Sequence, residues 1–268
     1  MDIFIILGFL AAIVIGISLG LIGGGGSILT VPALVYLLGV SPVLATAYSL
    51  FIVGLSSLFG AYNFHRKGLV DLKTALIFGI PSILAVYGTR KFIVPAIPEV
   101  IWSFSSFDLT KGVLLMVLFA ILMIVASFSM IKKEKKQTQA APDAPQKFNY
   151  PAILAEGLVV GILTGLVGAG GGFLIIPALV VFSKLPMKMA VGTSLLIIAA
   201  KSLLGFLGDI SNYELDWTFL GIFSGLAIVG IFIGGWLSTK ISGDKLKPAF
   251  GWFVLVMGIY ILLKETLL

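Results

Sequence analysis

Residues 3–38 form an apolar run of 36 residues without a charge, and four consecutive glycines, Gly23, Gly24, Gly25 and Gly26, stand inside it. As a straight helix the run would measure about 54 Å, against a bilayer core of about 30 Å. Glycine also weakens a helix interior, by roughly 0.5–1 kcal/mol relative to alanine. The segment must break, tilt severely or turn back, and the glycines are where it can do so without side-chain clashes. In lipid such a break strands backbone N–H and C=O groups, so it is tolerated only where it is buried in protein or lines a wet cavity.

The pattern occurs twice. "GLIGGGGSILTVPALV" (residues 20–35) aligns without gaps on "GLVGAGGGFLIIPALV" (residues 165–180) at an offset of 145, with ten of sixteen positions identical. The offset persists beyond the glycines: Ala45/Ala190, Ser49/Ser194, Leu50/Leu195, Ser57/Ser202, Gly60/Gly205 and Asp71/Asp216. Apolar runs near 3–38, 42–64, 72–90 and 111–131 are followed by four more near 151–183, 188–208, 215–239 and 246–263. Between the two sets lies "KKEKKQTQAAPDAPQK", charged, with two prolines and no apolar periodicity, which reads as a solvated linker. The expected organisation is a first membrane repeat (1–131), a cytoplasmic linker (132–150) and a second membrane repeat (151–268).

With 59% hydrophobic and only 11% charged residues, the chain has too little polar surface for a water-soluble globule, which carries about 25% charged residues. The fold class is all-α, a polytopic helical membrane protein. The net charge of +6 sits in loops between spans, so it is no sign of nucleic acid. The absence of cysteine excludes disulfides and thiolate ligands, and one histidine, His65, cannot build a His-based metal cluster. The acidic flank Met1-Asp2 and the span-length run after it read as mature fold rather than a signal peptide.

Counting basic residues orients the repeats. Leaving Lys201 aside, seventeen Lys and Arg (18 − 1) lie in loops and flanks. If each glycine segment crosses once, the halves are parallel, and nine of these fall inside against eight outside. If each glycine segment dips in and leaves by the same face, the halves are inverted. Thirteen then fall inside, and only Arg90, Lys91, Lys111 and Lys264, four in all, fall outside. The positive-inside rule favours the inverted arrangement. Residues 92–110, with Pro95, Pro98, Trp102, Phe104 and Phe107, have no counterpart in the second half. They read as a membrane-surface loop with interfacial aromatics, or as a cap on the transport path.

A chain that breaks at glycines and resumes as a short helix leaves unpaired N–H groups at a helix N-terminus, which attracts anions. Pro32 and Pro177 fit the first turn of such helices, with Ser27 and Gly172 at cap positions. The substrate-binding candidates are therefore Gly23, Gly24, Gly25, Gly26 and Ser27 with Gly168, Gly170, Gly171 and Gly172. The competing reading is that glycines merely let helices pack closely, which is all we expect of Gly221, Gly225, Gly230 and Gly234. Lys201 is the one basic residue well inside a span. It either neutralises an anion or snorkels toward Asp209, eight residues and about 12 Å further along the helix. The first half has Ser56 at that position. Hydroxyls on the segments after the glycines suit oxyanion oxygens, although in membrane helices they also bond their own backbone. The identically repeated Ser49/Ser194 and Ser57/Ser202 are the ones selected. Glu156 and His65 are candidates for a coupling proton, with an interfacial position as the alternative. Asp71 and Asp216 read as helix caps.

The doubled G-x-G-G-[GS]-x-[LI]-x-x-P-A-L cluster, the A-x-x-x-S-L after it and the Asp71/Asp216 repeat resemble the TauE/SafE sulfite exporter family, over essentially residues 3–263. The resemblance implies a multi-pass permease of a bacterial or archaeal inner membrane that moves sulfite or a small organosulfonate such as sulfoacetate. The expected function is a secondary transporter of a small anion, working by alternating access. The alternative is an anion channel through the same glycine-lined path. A membrane scaffold fits poorly with buried glycine breaks, and an enzyme lacks reacting groups at suitable spacing. No cofactor or nucleic acid is implied. The implied partners are a small anion of the sulfite, thiosulfate or sulfonate class and the lipid bilayer, and a homodimer is allowed.

Overall fold

The computed structural model describes residues 3–104, 107–131, 150–181, 183, 185–238, 240 and 243–267. Most of the linker, residues 132–149, lies outside the described residues. Among the described residues, three helices in each half are long and apolar enough to cross a membrane: Pro42–Arg66, Leu72–Ala96 and Lys111–Ile131, then Met187–Phe206, Trp217–Leu237 and Pro248–Leu267. A helix is the element that satisfies every backbone group in lipid within one segment. Large apolar side chains such as Leu76, Leu84, Val125, Phe128, Val229 and Val256 are exposed on these helices, as lipid-facing surfaces require.

The two glycine segments are not continuous spans. In the first, α1 (Ile3–Ile22) ends at Gly23, and a tight 3-10 turn, Gly23–Leu29, leads through α2 (Thr30–Pro32) into a π-helical turn, Ala33–Leu37. This leg runs back along α1. A Cβ placed on Gly26 would strike Ser18 and Leu19, and one on Gly8 would strike the Leu38 side chain. The leg thus retraces the stretch of α1 from Leu19 back to Gly8, about 16 Å of helix. The leg stops at Gly39 (φ +66°), where Val40 N–H reaches the Leu34 carbonyl at 3.0 Å and Gly39 N–H the Val35 carbonyl at 3.2 Å, a glycine closure one residue wider than a Schellman motif because it ends a π turn. Pro42 then opens α3 (Pro42–Arg66).

The second glycine segment consists of α7 (Tyr150–Val167), a loop at residues 168–171 and α8 (Gly172–Val181). Two expectations need correction here. Pro32 and Pro177 do not occupy the first turn of a fresh helix. Pro32 lies ten residues into a helical leg that begins at Gly23, and Pro177 is the sixth residue of α8. The helical turns resume sooner after the glycines than the prolines suggest. Ser27 is not an N-cap either: it sits inside the 3-10 turn, and its hydroxyl donates to the Gly24 carbonyl at 2.7 Å. Gly172 is the first helical residue of α8 rather than its cap.

The remaining elements are α4 (Leu72–Gly88), a π-helical turn at Thr89–Ile93, α5 (Val94–Ala96), the hairpin β1 (Val100–Phe104) and β2 (Phe107–Thr110), and α6 (Lys111–Ile131). In the second half α9 (Met187–Phe206), α10 (Trp217–Leu237) and α11 (Gly243–Leu267) follow. Residues 92–110 are therefore not a plain loop. The helix carries on through Ala96, because Val94 N–H reaches back five residues to the Thr89 carbonyl, and the rest is an antiparallel hairpin with Trp102 exposed. Glu99 and Lys111 close its base at 3.7 Å. Asp71 and Asp216 cap α4 and α10, their carboxylates accepting from Thr74 N–H at 3.1 Å and Phe219 N–H at 2.9 Å.

Contacts between the halves recur at the offset of the sequence. Gly16 packs against Ala227 and Gly230, and Gly161 against Ser82 and Ala85. Gly60 meets Leu195 and Ile231, and Gly205 meets Leu50 and Val86. Asp71 N–H donates to Thr193 Oγ1 at 2.9 Å, and Asp216 N–H to the Tyr48 hydroxyl at 2.8 Å. Each member of a pair becomes the other when 145 is added or subtracted and the halves are exchanged. Such crossed pairs are what a two-fold relation between the halves would generate. The central helices α3 and α9 are the most enclosed spans, and α11 is the least.

Gly230 and Gly234 do bring α10 onto the backbone of α1, whereas Gly221 and Gly225 face open space. Gly230→Leu should therefore lower the thermal unfolding midpoint in detergent sharply, through overlap with the Ile13 carbonyl. Gly225→Ala should be neutral or raise it, by up to about 1 kcal/mol of stability. Equal midpoints for the two variants would refute this packing.

Candidate functional site

Gly23 and Gly168 are identical in sequence position and in shape. Their φ angles are +72° and +70°, a left-handed conformation that costs other residues about 1–2 kcal/mol. Each ends its helix by turning the chain against the opposite half. A Cβ on Gly23 would come within 2.9 Å of Val191 on α9, and one on Gly168 within 2.6 Å of Thr46 on α3. After this common step the two breaks diverge. Gly24, Gly25 and Gly26 stay in the 3-10 turn, while Gly170 and Gly171 are again left-handed, at +63° and +67°, and hold an open loop ahead of α8.

The two breaks meet backbone to backbone. A Cβ on Gly24 would overlap Gly172, and a Cβ on Gly172 would overlap Gly24. Gly170 faces Val53, Ile198 and Ser27. On α3, Thr46, Ser49, Val53 and Ser57 are spaced three or four residues apart and share one face. On α9, Val191, Ser194 and Ile198 do likewise, followed by Lys201 and Ser202, three and four residues after Ile198. The breaks are thus clasped between the two central helices, with the selected serines on the clasping faces.

All of these serines are buried. Ser194 bonds its own helix, donating to the Val191 carbonyl at 2.8 Å, as Ser56 does to Ile52 at 2.7 Å. The hydroxyls of Ser49, Ser57 and Ser202 have no hydrogen-bond partner, nor has Thr30 in the returning leg. A buried hydroxyl without a partner costs roughly 1–3 kcal/mol, so these oxygens stand ready for one.

Lys201 is fully buried, and its ammonium donates to Thr164 Oγ1 on α7 at 3.0 Å. The side chain does not snorkel toward Asp209, which lies instead 3.6 Å from Arg90. Among the described residues no carboxylate stands within ion-pair distance of Lys201. Its Nζ would be 2.8 Å from a Cβ on Gly171, directly before α8. Gly172 and Phe173, as the first residues of α8, present N–H groups with no intrahelical acceptor. The ammonium and the positive end of the helix dipole therefore share one small buried volume. Two like charges in a low-dielectric place repel, and an anion between them would relieve both.

Glu156 lies on α7 two turns before Thr164, half-buried, with one carboxylate oxygen enclosed and unpartnered. His65 is exposed at the end of α3. Thr164, Thr89 and Arg90 were not selected by sequence reasoning. Thr164 carries no mark in the sequence, because the first half has Leu19 in its place. Arg90 was counted among loop residues, yet it is fully buried. Extending the helix past Lys91 to Pro95 would have placed it inside a span.

Six apolar spans and two glycine-broken helical segments that meet within the protein define the class of multi-pass membrane permeases built on discontinuous helices. The chain belongs to the sulfite exporter TauE/SafE family, whose model matches residues 8–261. It is 32% identical over 255 residues to a probable membrane transporter protein of Xylella fastidiosa, covering 92% of this chain and 91% of the relative. It is 29% identical over 277 residues to the probable membrane transporter protein YunE of Bacillus subtilis, with 95% of each chain covered. A probable membrane transporter protein of Methanocaldococcus jannaschii, MJ0441, is 28% identical over 273 residues, 97% of this chain and 94% of that one. No solved structure matches. The protein is a membrane transporter and not an enzyme.

The hydrogen bond from Lys201 is testable without a substrate. Thr164→Val should lower stability by about 1.5–3 kcal/mol, the scale of a bond to a charged group, while Thr164→Ser should restore most of it. Equal thermal midpoints for Val and Ser variants in detergent would show that the bond contributes nothing.

Proposed function

We propose that the protein is a secondary transporter of a small oxyanion, sulfite or an organosulfonate, held where the two glycine breaks meet and passed across by alternating access. The observation that carries this reading is the position of Lys201 Nζ beside Gly171, at the N-terminal end of α8. A cation without a carboxylate partner, next to a helix end of the same sign, suits an anionic solute and little else. The unpartnered hydroxyls of Ser49, Ser57 and Ser202 would supply hydrogen bonds to its oxygens. Gly23, Gly24, Gly25, Gly26 and Ser27 would form one wall, and Gly168, Gly170, Gly171 and Gly172 the other.

In this reading the two repeats are inverted. Three full spans per half is an odd number, and the first glycine segment returns to the level at which it entered, as the Gly8 and Leu38 contact supports. The second half would then enter from the opposite face, with the linker cytoplasmic in a bacterial inner membrane. Crossed contacts between α3 and α9 would be the bearing about which the halves rock. Glu156 is the proposed coupling carboxylate, since it shares α7 with the partner of Lys201. His65, at the surface end of α3, would serve proton exchange with water.

Uptake into proteoliposomes tests the proposal. Sulfite, thiosulfate, sulfate, sulfoacetate and taurine should be compared with and without a pH gradient, and sulfite or sulfoacetate should be favoured. Lys201→Ala should lose at least about tenfold in uptake, the scale of one charge-assisted contact. Uptake at the wild-type rate in that variant would remove Lys201 from the site. Trapped unlabelled substrate should accelerate entry of labelled substrate. Its failure to do so would replace the carrier with a channel.

A further inference from the structure

Arg90 and Asp209 form a buried charged pair, apart from the glycine contact and contributed by both halves. Arg90 lies in the π-helical turn Thr89–Ile93, and Asp209 follows α9. Both side chains have 0% exposure, yet Arg90 Nη1 stands 3.6 Å from Asp209 Oδ2. None of the three guanidinium nitrogens and neither carboxylate oxygen has a hydrogen-bond partner. A pair kept for stability closes to about 2.7–2.9 Å, commonly through two parallel bonds, because burial of both charges is otherwise uncompensated. This pair is held apart. A Cβ on Gly208 would come within 3.1 Å of both Arg90 Cβ and Lys91 N, so the Asp209 turn already lies hard against the π turn.

The surrounding polar groups lead inward. Thr89, buried and with an unpartnered hydroxyl, packs on Gly165 at 2.8 Å from a Cβ placed there. The residue before Gly165, Thr164, accepts from the Lys201 ammonium. Lys201 itself precedes Asp209 by eight residues on α9 and its exit turn, about 12 Å. An unfilled guanidinium fork thus stands at one end of a buried polar file whose other end is the ammonium at the glycine loop.

We propose that Arg90 is a second oxyanion-binding station, at which the entering or leaving anion takes the guanidinium in place of Asp209. The proposal rests on the reading of the chain as an anion carrier and adds a step to it. An oxyanion with two or three oxygens fits the fork bidentately, and the neighbouring Asp209 keeps the binding weak enough for release.

The probe is sulfite, titrated calorimetrically into the protein in phosphatidylcholine nanodiscs, with uptake measured in phosphatidylcholine proteoliposomes. Asp209→Asn should bind sulfite at least about tenfold tighter, since the competing carboxylate is gone. Arg90→Lys should keep the charge and the thermal midpoint but lose affinity, because an ammonium lacks the fork. Arg90→Met combined with Asp209→Leu leaves no lone buried charge, and it should fold and take up sulfite at under about a tenth of the wild-type rate. Wild-type affinity in Asp209→Asn and Arg90→Lys, alongside a transporting wild type impaired by Lys201→Ala, would overturn this station alone. A wild type that neither binds nor moves any oxyanion would overturn the carrier reading and this step with it. Should the double variant fail to fold, the two single-variant titrations decide.

Discussion

Two peptide backbones touching inside a membrane protein, Gly24 on Gly172, set the spacing of everything around them. A single methyl group on either residue would push the breaks apart. Their contact fixes how closely α3 and α9 can approach from the two sides. It also fixes where the α8 N-terminus lies relative to Lys201, Ser27 and the unpartnered serines. The rest of the fold encloses this meeting point. α1 and α10, like α4 and α7, pack through glycine and small residues, and Asp71 and Asp216 tie each half to the other through Thr193 and Tyr48.

The crossed contacts are paired, but the chemistry at the centre is not. Where the first half has Ser56, which bonds its own helix, the second has Lys201, which crosses to Thr164. Arg90 and Asp209 likewise have Gly235 and Phe64 at the corresponding positions. Each half therefore carries buried charge that its counterpart lacks, Arg90 in the first and Lys201 and Asp209 in the second. If the halves exchange roles as proposed above, these unmatched ionic groups would make the two end states electrostatically unequal.

The frame was legible in the sequence because it depends on patterns that survive without tertiary information. Apolar length gave the spans, the 145-residue offset matched the paired contacts, and Asp71 and Asp216 read correctly as caps. For the candidate site, what was legible is what a rule fixes for one residue, such as the place of Lys201 inside a span. It was not legible where long-range contact decided the outcome. The partner of Lys201, Thr164, follows no repeated motif, and the pairing of Asp209 with Arg90 depends on a π turn that carries the helix past Lys91. The prolines misled because their missing N–H groups point to a helix start, while the flanking residues were able to build helical turns earlier. Residues 92–110 misled for a related reason: their prolines and aromatics resemble an interfacial loop, and only pairing across the turn makes them a hairpin.

The glycine breaks also carry a lesson in their dihedral angles. Gly25 and Gly26 are the same residues, in the same motif, as Gly170 and Gly171, yet the first pair is wound into a 3-10 turn and the second is left-handed. One molecule therefore displays two backbone shapes of a shared glycine pair at once. A bulkier residue would be strained in the left-handed form, whereas the torsions of glycine admit either shape. Interchangeable torsions at these paired glycines are what an exchange of roles between the halves, as proposed above, would require.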